Sequence, residues 1–339
     1  MKNFAFIVNL TSIKQIKDFW PALRIVPDFI IKPFLDNFSA SKVSHIKIVQ
    51  SSQGKIINGF FIACPLLNQQ CKDLTENLIL DKIITAVRIA ERLDVKVIGL
   101  DGYGSLISEK GHNTIARNLK IPVTRGDILN AWSIVEGVYR MAKIKKINLK
   151  NSSLAIIGAT GSVGSLSARK LSDYVSKITV VAKERDKLER LKEEILHLNS
   201  IEVTMEEDAH NAVKDADIVI NTDNSSEPAF NIEELKPNTV VCDIYQSYRM
   251  LAKPNPRQDI TVIRGGLIKL PHPVKLGMNT GLPKDIICAS LAETMLLTFR
   301  QSFINYSFGE NINLDKLEEI ADLTVQHGFE VWVPEAPVL

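Results

Sequence analysis

Two hydrophobic patterns alternate along the chain. Short runs of apolar, mostly β-branched residues sit between glycine, asparagine and charged residues, and longer stretches carry apolar residues three and four positions apart. The first pattern predicts buried strands and the second amphipathic helices. Met1-Lys-Asn-Phe-Ala-Phe-Ile-Val-Asn-Leu reads as a first strand, with no small-residue cleavage site after it to suggest a signal peptide. Ser44–Gln50 and Lys55–Ala63 read as a β-hairpin turned at Gln53-Gly54. Leu74–Leu93 has helical spacing, and Val95–Leu100 is a short buried strand that runs into the glycine-rich turn Asp101-Gly-Tyr-Gly-Ser-Leu. From Asp127 to Lys146, Ile128, Leu129, Trp132, Val135, Val138, Tyr139 and Ala142 fall on helical spacing. This predicts one long helix joining two domains.

The second half repeats a simpler unit. Leu154–Ile157, Ile178–Ala182, Asp217–Asn221, Thr239–Asp243 and Ile260–Gly266 are apolar strands, most of them separated by helical stretches such as Arg185–Asn199. Strands that are apolar on both faces and alternate with helices predict a parallel sheet with helices on both sides. The expected fold is α/β: a Rossmann-like doubly wound parallel sheet with a second mixed α/β substrate domain. The expected division is a substrate domain over 1–126 completed by helices within 284–339, a bridging helix over 127–148, and a nucleotide-binding domain over 149–283. Trp20–Phe38 stands apart, dense in apolar residues and broken by Pro21, Pro27 and Pro33. It reads as short core-packing helices, as a wall for a long apolar ligand, or as a patch that touches a membrane surface.

Composition narrows the function. The 339 residues carry a net charge of +2 and no dense basic block, so nothing argues for nucleic acid. The chain has no run of about 18 apolar residues, so no membrane span is expected. The four cysteines, Cys64, Cys71, Cys242 and Cys288, form no CxxC and no disulfide framework, which suits a reducing cytoplasm. The six histidines are scattered and suggest no metal site.

The strongest motif is Gly158-Ala159-Thr160-Gly161-Ser162-Val163-Gly164, which follows a strand and opens a helix. Glycines there permit a tight turn and close approach to a pyrophosphate, and the helix start supplies N–H groups. The spacing is GxxGxxG, a variant of the usual dinucleotide fingerprint. Twenty residues on, Lys183 and Arg185 favour the 2′-phosphate of NADPH, while Glu184 between them keeps NADH open. Tyr139 and Lys143 have YxxxK spacing but precede the loop, and one helical turn separates them in any helix.

Cys288 is the candidate nucleophile. Pro283 and Asp285 precede a helical pattern, so Asp285 is the expected N-cap and Cys288 the third helical residue. A helix N-terminus lowers a thiol pKa. A buried cysteine that only packs is the plainer alternative.

Taken together, Leu100-Asp-Gly-Tyr-Gly-Ser, Gly158-Ala-Thr-Gly-Ser-Val-Gly-Ser, Gly265-Gly266, Cys288-Ala-Ser-Leu-Ala-Glu-Thr-Met-Leu-Leu and Val325-Gln-His-Gly-Phe resemble the cyanobacterial long-chain acyl-(acyl-carrier-protein) reductases. The chain is also similar to their dehydrogenase-like relatives. The resemblance implies NADPH-dependent reduction of a fatty acyl thioester, carried by acyl carrier protein or coenzyme A, to an aldehyde, with Cys288 as nucleophile. Oxyanion donors would come from N–H groups near Cys288, from Gly102–Ser105, or from Gly265 and Gly266, and the last two are also expected to bind the cofactor. Ser105 is a candidate hydroxyl donor and His272 a candidate proton donor. Asp127 and Leu129 stand where that family carries Asn and His. The rivals are an amino- or hydroxy-acid dehydrogenase on the shikimate-dehydrogenase plan and a silent NADPH-binding module.

Overall fold

The computed structural model describes residues 2–10, 12–34, 39–67, 74–100, 107, 109–225, 228–244, 257–301, 304–308 and 312–333. The chain divides into two compact units. Unit 1 comprises Met1–Gly126, Leu270–Asn311 and Asp322–Glu330, and unit 2 comprises Asp127–Lys269, Ile312–Ala321 and Val331–Leu339.

Unit 1 is built on a mixed five-stranded sheet. Its strands are β1 (Lys2–Leu10), β2 (Ser41–Gln50), β3 (Ile56–Leu67), β4 (Val95–Leu100) and β5 (Val123–Thr124), in the order β2-β3-β1-β4-β5. β1 pairs in parallel with β3 and β4, β4 with β5 in parallel, and only β2–β3 is antiparallel. That hairpin turns at Gly54, whose φ of +76° is a left-handed conformation suited to glycine. Both faces of the sheet are covered. Ala5 and Ile7 join the core beneath the helix Glu76–Glu91. Phe6, on the other face of β1, lies with Gly99 and Thr294, where a Cβ on Gly99 would fall 2.2 Å from Thr294 Oγ1 and 2.5 Å from Phe6. Thr294 belongs to the helix Ala289–Arg300. Two-sided cover is why β1 reads as an unbroken apolar run rather than an alternating one.

The Trp20–Phe38 segment splits between the alternatives. Ile31 is buried with Leu10, Ile13 and Ile16, and Trp20, Leu23 and Val26 pack against that cluster. Ile25 and Phe29 face outward, 91% and 74% exposed.

Unit 2 carries six strands: β6 (Ser153–Ile157), β7 (Lys177–Val181), β8 (Glu202–Glu206), β9 (Ile218–Asn221), β10 (Val240–Asp243) and β11 (Thr261–Arg264). The order is β11-β10-β9-β6-β7-β8 and all pairs are parallel. Counted from β6, this is the 6-5-4-1-2-3 arrangement of a doubly wound dinucleotide fold, whose order reverses between β6 and β9. Ligands in such sheets bind outside the carboxyl ends at that reversal. The helix Asp127–Lys145 belongs to unit 2, where Gly137 lies near Ile263 of β11. No helix among the described residues is long and apolar enough to cross a membrane.

Candidate active site

The glycine loop of unit 2 leaves β6 at the sheet's point of reversal. Gly158 has φ +76°, and its N–H and that of Ala159 both reach Val181 O at 3.0 Å, so the loop is anchored to the end of β7. A Cβ on Gly158 would sit 2.9 Å from Thr222 Oγ1, and one on Gly164 only 2.4 Å from Gly158 O. Thr222, just past β9, donates its hydroxyl to Ile157 O at 2.8 Å and fixes the loop from the other side. Gly161 caps the helix Ser162–Leu171 and has no side chain to offer the first-turn N–H groups. Those groups point out of the helix start with its positive dipole end behind them. This cradle fits the pyrophosphate of a dinucleotide: Gly161 adds no side chain at the helix start, Thr160 and Ser162 beside it are small, and Val163 is buried.

Beyond β7, Lys183 is exposed, whereas Arg185 pairs with Glu189 at 3.2 Å. Glu184 binds Lys187 at 2.6 Å and accepts the Thr160 hydroxyl at 3.2 Å, and these two contacts hold its carboxyl below the usual value. The Thr160 contact brings the Lys183–Arg185 turn beside the glycine loop. Gly265 and Gly266 differ from expectation. The Gly265 N–H is donated to Asp243 O at 2.9 Å and the Gly266 N–H to Ser133 Oγ at 3.0 Å, so neither remains for an oxyanion. Gly265 is glycine because Cys242 and Ile134 crowd its α-carbon, and Gly266 because φ is +72°. Tyr139 and Lys143 do meet, with Nζ 4.3 Å from the ring centroid, as a cation–π pair on a surface cavity of about 230 Å³.

In unit 1 the helix of Cys288 starts later than the sequence suggests. Asp285 has φ +63° and is a turn residue, not a cap. Its carbonyl accepts the Leu270 N–H at 2.9 Å. Ile286–Cys288 is a short strand, and Cys288 itself is the N-cap of Ala289–Arg300. The thiol is half-buried and makes no cap bond to the backbone; Ser290 Oγ lies 3.2 Å from Sγ. Every residue from Ala289 to Phe299 is buried, including Glu293 at 0% exposure. The Glu293 carboxylate accepts the Thr124 hydroxyl, and Ser307 Oγ at 2.7 Å. Together with burial, its charge pushes the Tyr306 phenol upward. His272 is exposed and makes no hydrogen bond among the described residues. Ser105 and Gly102–Gly104 lie outside the described residues. Ser290 and Glu293 escaped the sequence reading, although a lone carboxylate in an otherwise apolar helix was a visible signal. Among the described residues no group of histidine, cysteine and carboxylate could hold a metal ion.

Comparison with known proteins gives four findings. The shikimate/quinate 5-dehydrogenase family matches residues 140–254. A long-chain acyl-(acyl-carrier-protein) reductase of Synechococcus elongatus is 24% identical over 96% of this chain and 98% of its own. The aminotransferase PigE of a Serratia strain is 24% identical over 75% of this chain, which spans only 30% of that protein. Among solved structures, L-tryptophan dehydrogenase of Nostoc punctiforme overlaps 78% of this chain and 69% of its own at 17% identity, with a TM-score of 0.36. The resemblance to the acyl-(acyl-carrier-protein) reductase therefore runs nearly end to end, and that to the shikimate/quinate dehydrogenases covers residues 140–254. Sheet order, loop geometry and the matches to the reductase and to the dehydrogenase family support a nicotinamide-dependent oxidoreductase.

Proposed function

We propose that this protein reduces a fatty acyl thioester to a fatty aldehyde with NADPH, through an acyl-enzyme on Cys288. The observation that carries the reading is a half-buried thiol at the N-terminus of a helix, in a chain similar over 96% of its length to an acyl-(acyl-carrier-protein) reductase. The positive end of the helix favours a thiolate at its cap. The Cys288 thiolate attacks the acyl carbon, a new C–S bond forms, and the donor, acyl carrier protein or coenzyme A, leaves as a thiol. When bound at Gly158–Gly164, NADPH supplies the hydride that reduces the acyl carbon. Collapse of the hemithioacetal then releases the aldehyde and returns the Cys288 thiolate. Lys183 is the proposed reader of the 2′-phosphate, because its charge is exposed beside the loop whereas Arg185 is already paired.

Intact mass after mixing with long-chain acyl-CoA or acyl carrier protein, without NADPH, tests the covalent step. An acyl adduct on the wild type and none on Cys288→Ala is expected. No adduct on either, with both donors and several chain lengths, refutes it. The family match over residues 140–254 favours a second reading, a dehydrogenase of a small hydroxy or amino acid. That match covers only the nucleotide-binding part, and under this reading Cys288→Ala stays active.

A further inference from the structure

We propose that Ser290 is a catalytic hydroxyl that stabilises the Cys288 sulfur as a thiolate, and that the buried Glu293 positions it through the Thr124–Gly126 strap. The proposal rests on the Cys288 nucleophile argued above.

The hydroxyls along this helix show why Ser290 is distinct. Thr294 donates to Ser290 O at 2.9 Å and Thr298 to Thr294 O at 2.7 Å, each four residues back. Ser290 is the second helical residue, ahead of the first complete turn. Its Oγ instead lies 3.2 Å from Cys288 Sγ, and the residue is only 4% exposed. The Ser290 hydroxyl donates to this sulfur, and a hydrogen bond to a charged acceptor is stronger than one to a neutral one.

The strap explains how Ser290 is held. Gly126 lies so close to the helix start that a Cβ there would fall 2.3 Å from Ser290 Cα. Thr124 Oγ1 accepts the Gly126 N–H at 3.3 Å and donates its own proton to Glu293. Ser307 donates to the same carboxylate oxygen at 2.7 Å. Burying a carboxylate is costly, and packing alone is met by an apolar side chain of similar size. What the charge adds is a fixed link between the helix and the strap one turn above it, where Ser290 sits.

The proton balance is simple. Cys288 ionises by losing its proton to water, and Ser290 keeps its own throughout. When the sulfur bonds to the acyl carbon, the donor C–S bond breaks and the departing thiolate takes a proton from water. The sulfur then carries less charge and the Ser290 hydrogen bond weakens. It strengthens again when the hemithioacetal collapses and the electron pair returns to sulfur, so the same hydroxyl favours both the nucleophile and the leaving group.

The test is the pH profile of Cys288 alkylation by iodoacetamide in the full-length protein, read from the Cys288 peptide by mass spectrometry. Ser290→Ala is expected to raise the midpoint by about one pH unit, and Ser290→Thr to restore it. Thr124→Val breaks the strap link without changing charge. It is expected to move the midpoint the same way, with no further shift in the double variant with Ser290→Ala. A wild-type midpoint in Ser290→Ala overturns the role of Ser290, and additive shifts overturn the positioning role. If Thr124→Val fails to fold by circular dichroism, Glu293→Gln replaces it: losing the charge alone lowers the midpoint, whereas losing the positioning raises it. Should no thioester acylate Cys288, the nucleophile reading falls while the alkylation profile still decides the role of Ser290.

Discussion

Two helical glycines of unit 2 make opposite predictions for the same substitution. Gly164 lies in the first turn of Ser162–Leu171, and a Cβ there would be 2.4 Å from Gly158 O, 2.8 Å from Thr222 Oγ1 and 3.0 Å from Ala159 Cα. Two of those three atoms are backbone, and the nearest is roughly 1 Å inside an ordinary contact. Overpacking of this kind costs about 1–3 kcal/mol, against up to about 1 kcal/mol gained in helix propensity. Gly137, in the middle of Asp127–Lys145, has only Ile263 and Val333 near its Cβ position, both at 3.9 Å. Nothing must move, and Gly137→Ala is expected to stabilise by about 0.5–1 kcal/mol. Urea unfolding with and without NADPH separates stability from binding. At a hundredfold excess over Kd, NADPH adds about 2.7 kcal/mol to the wild type and to Gly137→Ala. In Gly164→Ala the loop must open, and a tenfold loss of affinity reduces that increment to about 1.4 kcal/mol. A full increment in Gly164→Ala would refute the cradle as the pyrophosphate seat.

Lys183→Glu is expected to lower the ratio of kcat/KM for NADPH over NADH at least tenfold, as measured by steady-state kinetics with each cofactor. His327 is 1% exposed and stacks on Phe299, and burial, helped by Lys55, lowers its pKa. The unfolded chain then binds the proton more readily, so stability is expected to fall as pH drops below about 6.5 toward the lowered folded value. Denaturant unfolding between pH 7.5 and 5.5 should show that loss shrinking in His327→Phe. Phe29→Ser, at 74% exposure, should change stability by less than about 0.5 kcal/mol, whereas Ile16→Ala, at 0%, should cost about 2–5 kcal/mol by the same assay.

Periodicity carried the fold because both sheets bury their strands on two faces. Phe4–Val8 and the Val- and Ile-rich strands of unit 2 have no polar alternation to confuse, and Gly54 and Gly158 stand where φ is positive. The apolar Trp20–Phe38 segment shows the limit: Ile31 and Ile25 belong to the same kind of run, yet one is buried and the other 91% exposed. Prolines break the spacing there, so no period assigns a face. The Gly265-Gly266 pair looked like an open donor loop, but its N–H groups are used by Asp243 and Ser133. Only the partner at the far end of each bond shows that, and Ser133 is more than a hundred residues away.

The sequence places the start of the Cys288 helix three residues too early, for a reason that matters chemically. Asp is both a common N-cap and a residue that tolerates left-handed backbone, and the sequence does not distinguish the two. With φ +63° at Asp285, the chain turns, runs as strand through Ile286–Cys288, and only then becomes helical. At the third helical position the sulfur would lie along the first turn and rely on the dipole alone. As the N-cap it stands at the end of the axis, where its own side chain occupies the capping place and a neighbouring hydroxyl can reach it. Ser290 comes within 3.2 Å of the sulfur for that reason. A shift of three residues in the helix start thus adds to the diffuse electrostatic effect a specific hydrogen bond, which a single hydroxyl deletion removes.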